Sequence, residues 1–214
     1  MDYSRRANIA ELMDDLSRPD AEFAAAYREL ELINRRLGGV RAVERFLPSG
    51  ALSVLDVAAG GCDVGEAVAQ HGRRFVVSLD LNPRGLRRAR LTAPVTADAR
   101  TLPFADGAFD VVTASLFFHH LQDNECVQVL KEMWRVARRR VIVNDLHRHP
   151  AAYAAIRLLS VMFRAGAMVQ HDGPVSVLRA FKPRELAAIA AEAGVPAVVH
   201  RSFPYRLVLV ANKR

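Results

Sequence analysis

The chain has 214 residues, of which 51% are apolar, and its 30 basic and 23 acidic residues give a net charge of +7. This length and composition can bury one substantial core but hardly two, so we expect a single domain. The charge alone does not identify a partner. Because the arginines are not interleaved with aromatic residues, a single-strand nucleic-acid binder is not expected, and solvated helix faces account for the arginine clusters.

The two cysteines and the N-terminus both indicate a cytoplasmic protein. Cys62 and Cys126 lie far apart and outside any CxxC arrangement, which argues against a disulfide framework and a zinc cluster. The first residues lead into the charged segment Glu11-Leu12-Met13-Asp14-Asp15 without an apolar stretch of signal-peptide length.

Residues 1–50 stand outside the regular part of the chain and are predicted to form an N-terminal helical lid. Within them, residues 22–33 have a helical pattern that stops at Gly38-Gly39. The core is predicted to span residues 51–214. A second lid is expected as an insertion at about 146–180, because this stretch also departs from the pattern of the core.

From about residue 50, apolar runs alternate with helical patterns, which is typical of an α/β fold. The predicted strands are 53–57, 75–79, 95–97, 109–114, 141–144, 198–201 and 206–211. Predicted helices lie at 66–70, 83–90, 124–137 and 183–193. The last two strands are so close in sequence that they predict an antiparallel hairpin at the end of a mostly parallel, doubly wound sheet.

The second lid contains a strongly apolar helical pattern at residues 151–164. Its two arginines make it a poor membrane span, and a buried cap helix is favoured over an interfacial membrane helix. The segment Gln170-His171-Asp172-Gly173-Pro174 follows and is predicted to be a turn, which could present a substrate-facing pair of side chains if the lid folds inward.

The most informative motif is Val54-Leu55-Asp56-Val57 followed by Ala58-Ala59-Gly60-Gly61-Cys62. It predicts a buried strand that turns tightly into a helix. Small residues let the backbone approach a ligand closely, and the helix directs unpaired N–H groups to the same place. Such turns hold nucleotide-like ligands.

Three carboxylates follow predicted strands, where open α/β sheets bind their ligands. Asp56 lies near the end of the first strand, Asp80 ends the second, and Asp98 follows the third. A carboxylate in the position of Asp80 can accept both ribose hydroxyls, and Asp98 can accept from an adenine amino group. Each could singly be a helix cap or turn residue, but three in register favour a nucleoside site.

With these motifs, residues 50–212 resemble the class I S-adenosylmethionine-dependent methyltransferases, in particular the small-molecule branch similar to the ubiquinone and menaquinone biosynthesis methyltransferases. The segments that carry the resemblance are Val54-Leu55-Asp56-Val57, Leu79-Asp80, the Asp98 and Leu102-Pro103-Phe104 block, Phe109-Asp110-Val111-Val112, and the closing helix and hairpin. The resemblance implies a Rossmann-like fold and S-adenosylmethionine as the cofactor.

The resemblance also implies roles for individual residues. Asp80 would bind the ribose, Leu81 would flank the adenine, and Asp98 with Ala99 would recognise its amino edge. The remaining residues expected at the cofactor are Asp56, Ala58, Gly60 and Ser115.

The chain departs from the family at Ala58 and Cys62, where glycine is usual. A side chain at position 62 would crowd the turn if that residue needs a positive φ, unless Gly61 absorbs the bend.

A nicotinamide-binding Rossmann enzyme is the structural rival, because Asp80 would suit its ribose as well. Its glycine fingerprint fits poorly, since Cys62 would stand where the backbone must approach the pyrophosphate.

Two histidines follow the fourth predicted strand in Ser115-Leu116-Phe117-Phe118-His119-His120. The donor methyl group is already activated, so positioning supplies much of the catalysis, and a base is useful if the acceptor is a phenol or enol. His120 is the first candidate for that base and His119 the second. Both could instead bridge backbone groups.

A metal site formed by Asp145, His147 and His120 is conceivable, but structural hydrogen bonds are favoured and no metal is predicted. We therefore expect methylation of a small, fairly apolar acceptor, at the oxygen of a phenol, quinol or polyketide-like compound. An RNA methyltransferase and a non-catalytic S-adenosylmethionine-binding regulator are the alternatives. The oligomeric state is left open.

Overall fold

The computed structural model describes residues 2–50, 52–72 and 74–213. The predicted domain boundary at residue 51 and the two chain ends lie outside these residues. The strands are β1 (Leu52–Val57), β2 (Arg74–Asp80), β3 (Ala93–Thr96), β4 (Phe109–Ser115), β5 (Ala137–Leu146), β6 (Ala197–Ser202) and β7 (Arg206–Asn212). All seven predicted strands are thereby confirmed, with ends that shift by a few residues.

The helices of the described residues are α1 (Asp20–Arg36), α2 (Gly39–Glu44), α3 (Asp63–Gln70), α4 (Pro83–Leu86), α5 (Asp123–Val136), α6 (Pro150–Met162), α7 (Ala167–Arg179) and α8 (Pro183–Glu192). Short 3-10 helices occupy Leu12–Asp14 and Phe118–His120. None of these helices combines the length and hydropathy needed to cross a bilayer.

The strands form one sheet in the order β3-β2-β1-β4-β5-β7-β6. Neighbours from β3 to β5 pair in parallel, whereas β7 is antiparallel to both β5 and β6. The expected doubly wound sheet with a C-terminal antiparallel hairpin is confirmed. Because the parallel strands share one direction, the loops that leave β1, β2 and β4 meet at one edge.

Both faces of the sheet are covered, which explains why its strands are apolar on both sides. On one face, α5 and α8 pack over the inner strands, and Leu130, Met133 and Leu186 have no exposed surface. On the other face, α3 contributes Val64 and Val68, and α2 contributes Val43. Residues 39–44 of the predicted N-terminal lid therefore cover the sheet.

The second lid differs from its prediction in two ways. The turn predicted at 170–174 is wrong, because these residues lie inside α7, whose Val169 and Val177 are buried. Gly173-Pro174 is a turn signal in isolation, but burial of the helix outweighs it. The prediction that 151–164 is a buried cap helix is also wrong: α6 buries only Ala152 and Ser160.

Candidate functional site

A cavity of about 440 Å³ lies between the sheet edge and the two lids. Its volume falls in the range of small-molecule and cofactor sites. Most of the residues predicted for the site line it, namely Ala58, Gly60, Asp80, Leu81, Asp98, Ala99, Ser115, His119 and His120. Asp56 is not among the lining residues.

The turn after β1 positions the first of these groups. Ala58, Gly60 and Cys62 have φ values of 54°, 51° and 63°, so Cys62 adopts the left-handed conformation that glycine favours and Gly61 does not absorb the bend. The Cys62 side chain has no exposed surface and packs beside Leu86. Burial raises the pKa of its thiol to about 12, so it is a neutral turn residue.

Asp80 joins this turn to the one after β2. Its Oδ2 accepts the N–H of Gly60 at 2.7 Å, and its Oδ1 accepts the N–H of Asn82 at 2.7 Å. Burial raises the pKa of Asp80, which these backbone hydrogen bonds partly offset. Each oxygen keeps a lone pair for a ligand hydroxyl, because a carboxylate oxygen accepts more than one hydrogen bond.

The third strand end contributes Asp98, whose carboxylate is held by Arg100. The guanidinium Nη2 lies 2.7 Å from Oδ2, and the pair holds the pKa of Asp98 below its usual value. Ala99 is buried beside it, whereas Leu81, which also lines the cavity, is exposed. An ionised acceptor and two apolar surfaces are a suitable environment for an adenine ring.

Asp63, which the sequence analysis missed, lines the same cavity. Its Oδ2 is buried without a hydrogen-bond partner, and burial raises its pKa. An orphaned acceptor in the cavity wall fits the ammonium of a methionine-like ligand. The residues present therefore fit S-adenosylmethionine: Asp80 and Asp98 would hold its nucleoside, and Asp63 would hold its ammonium group. The signal that could have found Asp63 is its place in the first turn after the glycine-rich loop.

Asp56 lies behind the turn instead of in the cavity wall. It is 1% exposed, and its Oδ2 is buried without a hydrogen-bond partner. Burial, reinforced by the nearby Asp63, raises the pKa of Asp56 to about 8. A contribution to cofactor binding can therefore come only through the turn that Asp56 supports.

Replacing Asp56 by asparagine is expected to change how stability depends on pH. The folded protein holds this proton up to a pH of about 8, whereas the unfolded chain releases it near 3.8. Between those values the folded state binds more protons, so the free energy of unfolding falls as the pH rises, by at most about 1.4 kcal/mol per pH unit. Asp56→Asn should remove this slope in urea unfolding curves.

Asp110→Asn is the control, because Asp110 is expected to change the free energy of unfolding with pH in the opposite direction. Its carboxylate accepts the backbone N–H of Ser53 at 2.9 Å, and its pKa lies below the usual value. Asp110 therefore stabilises the fold above its unfolded pKa, and its loss should lower stability at neutral pH. An unchanged slope in Asp56→Asn would show that Asp56 is ionised in the folded protein.

The two candidate histidines lie in the 3-10 helix Phe118–His120 that follows β4. His119 Nδ1 lies 2.7 Å from Asp145 Oδ1, and His120 Nδ1 lies 2.7 Å from Asp14 Oδ1. Because an ionised carboxylate can only accept, each Nδ1 carries the hydrogen and each Nε2 is left as an acceptor in the neutral ring. The side chain of His119 is 2% exposed and that of His120 is 20% exposed.

Glu11 from the N-terminal lid lies between these rings. Its Oε1 is 3.8 Å from His119 Nε2, and its Oε2 is 3.8 Å from His120 Nε2, beyond hydrogen-bonding distance. Ser176 donates to Oε2 at 2.8 Å, and Arg179 Nε lies 3.7 Å from Oε1. Burial raises the pKa of Glu11.

Glu11, His119 and His120 offer three donor atoms within 4.8 Å of one another, which is close enough for a metal ion. The Arg179 guanidinium already supplies a positive charge beside Glu11, so the cluster needs no cation to balance it. The metal site considered from the sequence, Asp145 with His147 and His120, does not form, because His147 does not line the cavity and Asp145 binds His119. We still predict that the protein binds no metal.

The sequence analysis gave no role to Glu11 and Asp14. They lie in a charged segment without periodicity, and their partners are more than 100 residues away in the chain. Asp172 holds that segment in place by accepting the N–H groups of Leu12 at 2.7 Å and Met13 at 3.0 Å. Packing between distant segments creates this part of the site, and no local pattern encodes it.

Comparison with known proteins agrees with this geometry. Residues 54–140 match the methyltransferase domain family. An uncharacterized methyltransferase of Synechocystis is 33% identical over 112 residues, which cover 50% of this chain and 52% of that protein. A demethylmenaquinone methyltransferase of Thermus thermophilus is 35% identical over 105 residues, covering 45% of this chain and 47% of the relative. The chain thus spans about half the length of these two curated relatives.

Longer matches extend over most of the chain. A demethylmenaquinone methyltransferase of Deinococcus radiodurans is 28% identical over 222 residues, covering 91% of each chain. Among solved structures, an Aquifex aeolicus S-adenosylmethionine-dependent methyltransferase has a TM-score of 0.68 at 15% identity, covering 91% of this chain and 98% of that one. Human N-acetylserotonin methyltransferase, in complex with S-adenosylmethionine, has a TM-score of 0.69 at 12% identity, and the match covers 97% of this chain and 60% of that one.

The two structural likenesses show a shared fold, and the sequence matches include the turn and the strand ends that form the site. Residues 54–140 therefore carry a methyltransferase domain, and the chain is similar to the demethylmenaquinone methyltransferases.

Proposed function

We propose that this protein transfers the methyl group of S-adenosylmethionine to an oxygen of a small, fairly apolar acceptor, a phenol, quinol or polyketide-like compound. The observation that carries the proposal is the carboxylate-held histidine in the cavity wall, His120 with Asp14 at 2.7 Å. A phenolic oxygen becomes a strong nucleophile when it loses its proton, and a neutral imidazole is a suitable acceptor for that proton.

The proposed roles follow from the positions of the side chains. S-adenosylmethionine supplies an electrophilic methyl group on its sulfonium sulfur. Asp80, Asp98 and Asp63 would hold its nucleoside and amino-acid parts, and the turn at Ala58 and Gly60 would approach it through the backbone. Asp14 keeps Nδ1 of His120 protonated, which leaves Nε2 to accept the proton of the acceptor hydroxyl, whose oxygen would receive the methyl group.

His119 is the second candidate for the base. It is more buried than His120, and Asp145 accepts both its Nδ1 hydrogen and its backbone N–H, the latter at 3.1 Å. This double attachment favours a positioning role, in which His119 fixes the 3-10 helix that carries His120.

The acceptor is assigned to the lid side of the cavity because that wall is apolar. It is lined by Ile33 of α1, Ile156 of α6, and Met168, Val169 and Val177 of α7. An aromatic ring with an apolar substituent fits such a wall, and the relatives named for demethylmenaquinone support a quinol-like class.

Both cysteines are free, which agrees with the cytoplasmic location expected from the sequence.

Replacing His120 by asparagine is expected to lower kcat by about 10²- to 10⁴-fold, since a positioned base contributes that much. S-adenosylmethionine affinity should stay unchanged. The assay uses radiolabelled donor with alkyl-substituted catechols, resorcinols and naphthoquinols, and NMR of the product identifies the methylated atom.

His71→Asn is the matched control, because its ring also pairs with a carboxylate, Glu44 at 2.8 Å, but on the surface. That variant should keep the activity of the parent protein. Equal kcat values in His120→Asn and His71→Asn would remove His120 from the mechanism. A product methylated at carbon or nitrogen would contradict the oxygen assignment.

A further inference from the structure

The outward face of α6 is unusual among the helices. Apart from Arg157, its exposed positions are apolar along its length, namely Pro150, Ala151, Ala154, Ala155, Leu158, Val161 and Met162. The exposed positions of α5, in contrast, are Asp123, Asn124, Gln128 and Lys131. A surface helix usually directs its polar residues to water, so an apolar exposed face is not typical of a helix that contacts only solvent.

The large side chains concentrate at the end of the helix. Leu158 is 65% exposed, Val161 62%, Met162 57% and Phe163 73%. A contiguous group of large exposed apolar residues marks an interaction surface more often than scattered single residues do. Leu32 of α1 is also exposed, one turn beyond Glu29, whose carboxylate accepts the N–H of Gly166 at 2.9 Å. The exposed apolar surface thus borders the loop between α6 and α7.

Two basic residues flank this surface. Arg157 and Arg164 are both exposed, and neither forms an ion pair with the part of the chain that the structure describes. Arginine can keep its charged end in a polar layer while its stem lies along apolar surface. Apolar side chains flanked by unpaired arginines are complementary to a bilayer with anionic headgroups, in both polarity and charge.

We propose that Arg157, Leu158, Val161, Met162, Phe163 and Arg164, together called the docking face, bind the protein to an anionic lipid surface. The helix lies in the interface and does not cross it, because its 13 residues span only about 20 Å.

The same helix also contributes to the cavity. Ile156 lines the acceptor side, within two residues of Leu158 on the docking face. Residues two apart point to roughly opposite sides of a helix, so α6 lies between the cavity and the docking face.

Binding to vesicles tests the docking face without any acceptor or methyl donor, so its failure is separate from failure of the catalytic proposal. The full chain is sedimented with vesicles of phosphatidylcholine alone and of phosphatidylcholine mixed with phosphatidylglycerol. We expect binding to the mixed vesicles that weakens with salt. Arg157→Gln and Arg164→Gln should each weaken it about five-fold. Leu158→Ser with Phe163→Ser should weaken it at least about ten-fold.

Phe75→Ser is the matched control. Phe75 is 62% exposed but lies near the amino end of β2, at the sheet edge away from the lids, and its loss should leave vesicle binding unchanged. A Phe163→Trp variant adds a direct measurement, because brominated lipid should quench the introduced indole while the native Trp134 of α5 is unaffected. Retained S-adenosylmethionine binding shows that each variant is folded.

Three results would overturn the proposal. The first is no binding to mixed vesicles, and the second is equal binding by the Leu158/Phe163 double variant and the parent protein. The third is a dimer in analytical ultracentrifugation that the double variant dissociates, without vesicle binding, which would assign the face to a second copy of the chain.

Discussion

Asp80→Ala is expected to abolish measurable S-adenosylmethionine binding while leaving the protein folded. Hydrogen bonds to a charged group contribute about 1.5–3 kcal/mol each, and the ribose offers two hydroxyls. Their loss corresponds to about 10²- to 10⁴-fold in Kd. Isothermal titration with S-adenosylmethionine and S-adenosylhomocysteine measures the effect, with NADH and NADPH as controls for the rival Rossmann class.

Part of that loss could come from the turn instead of the ligand. Asp80 also accepts the N–H groups of Gly60 and Asn82, both at 2.7 Å, so the alanine variant frees two backbone donors. Asp80→Asn separates the two effects, because the amide keeps one acceptor oxygen and loses the charge. We expect Asp80→Asn to bind more tightly than Asp80→Ala and more weakly than the parent protein.

Asp98→Asn is the second comparison for the same measurement. Its carboxylate is shared with Arg100, and hydrogen bonds to an exposed, already paired group contribute less. Its effect on Kd should therefore be smaller than that of Asp80→Asn. A change in Kd of less than about three-fold in Asp80→Ala would be smaller than the loss of a single hydrogen bond to a charged group, about 1.5 kcal/mol. The cofactor would then have to lie elsewhere in the cavity.

The fold was largely predictable because the signals of its strands are local. A short apolar run between turn residues identifies a buried strand, and the four residues between the last two predicted strands, 202–205, identify the hairpin. The lids were harder for the same reason. Gly173-Pro174 is a strong local turn signal, yet α7 continues through it because its apolar side chains are buried by other segments.

The burial of α6 was mispredicted for a related reason. Composition shows that a helix is apolar, but it does not show which surface covers it. Leu158 and Phe163 have the same sequence signature whether they meet a core, a lipid surface or a second chain. Exposure is a property of the assembled structure, so the sequence alone could not separate these cases.

The cofactor side of the site was predictable from one geometric rule, and the acceptor side was not. Asp80 and Asp98 follow strands, and parallel strands bring their carboxyl ends together. Asp14 reaches His120 from 106 residues away, and its short 3-10 helix leaves no periodic pattern. Contacts of that range depend on how the N-terminal segment packs, which no single window of sequence contains.

Gly85→Ala is expected to have the largest effect on stability. A Cβ built on Gly85 would overlap the carbonyl oxygen of Gly60 and would lie 3.1 Å from the Tyr27 ring. The first contact is with backbone, so α4 or the turn after β1 must move. Overpacking of this kind costs about 1–3 kcal/mol and sometimes more, and we expect about 3 kcal/mol in urea unfolding.

The same change should also weaken S-adenosylmethionine binding, because the turn that moves contains Gly60, whose N–H is bound to Asp80. We expect at least about a ten-fold increase in Kd, the consequence of losing about 1.4 kcal/mol of binding free energy. Thermal shift with and without the cofactor separates the two losses. A variant that is destabilised but binds normally would show that α4 shifts and the turn stays in place.

Gly107→Ala is the control that separates a steric clash from backbone strain. Gly107 has a φ of +62°, but a Cβ there meets nothing within 4 Å, so only the cost of a left-handed alanine, about 1–2 kcal/mol, is expected. Gly85 has no such strain in the parent protein, and its whole cost comes from the contact with Gly60. Equal stability and equal cofactor affinity in the two variants would show that the close contact between α4 and the turn after β1 does not fix the conformation of that turn.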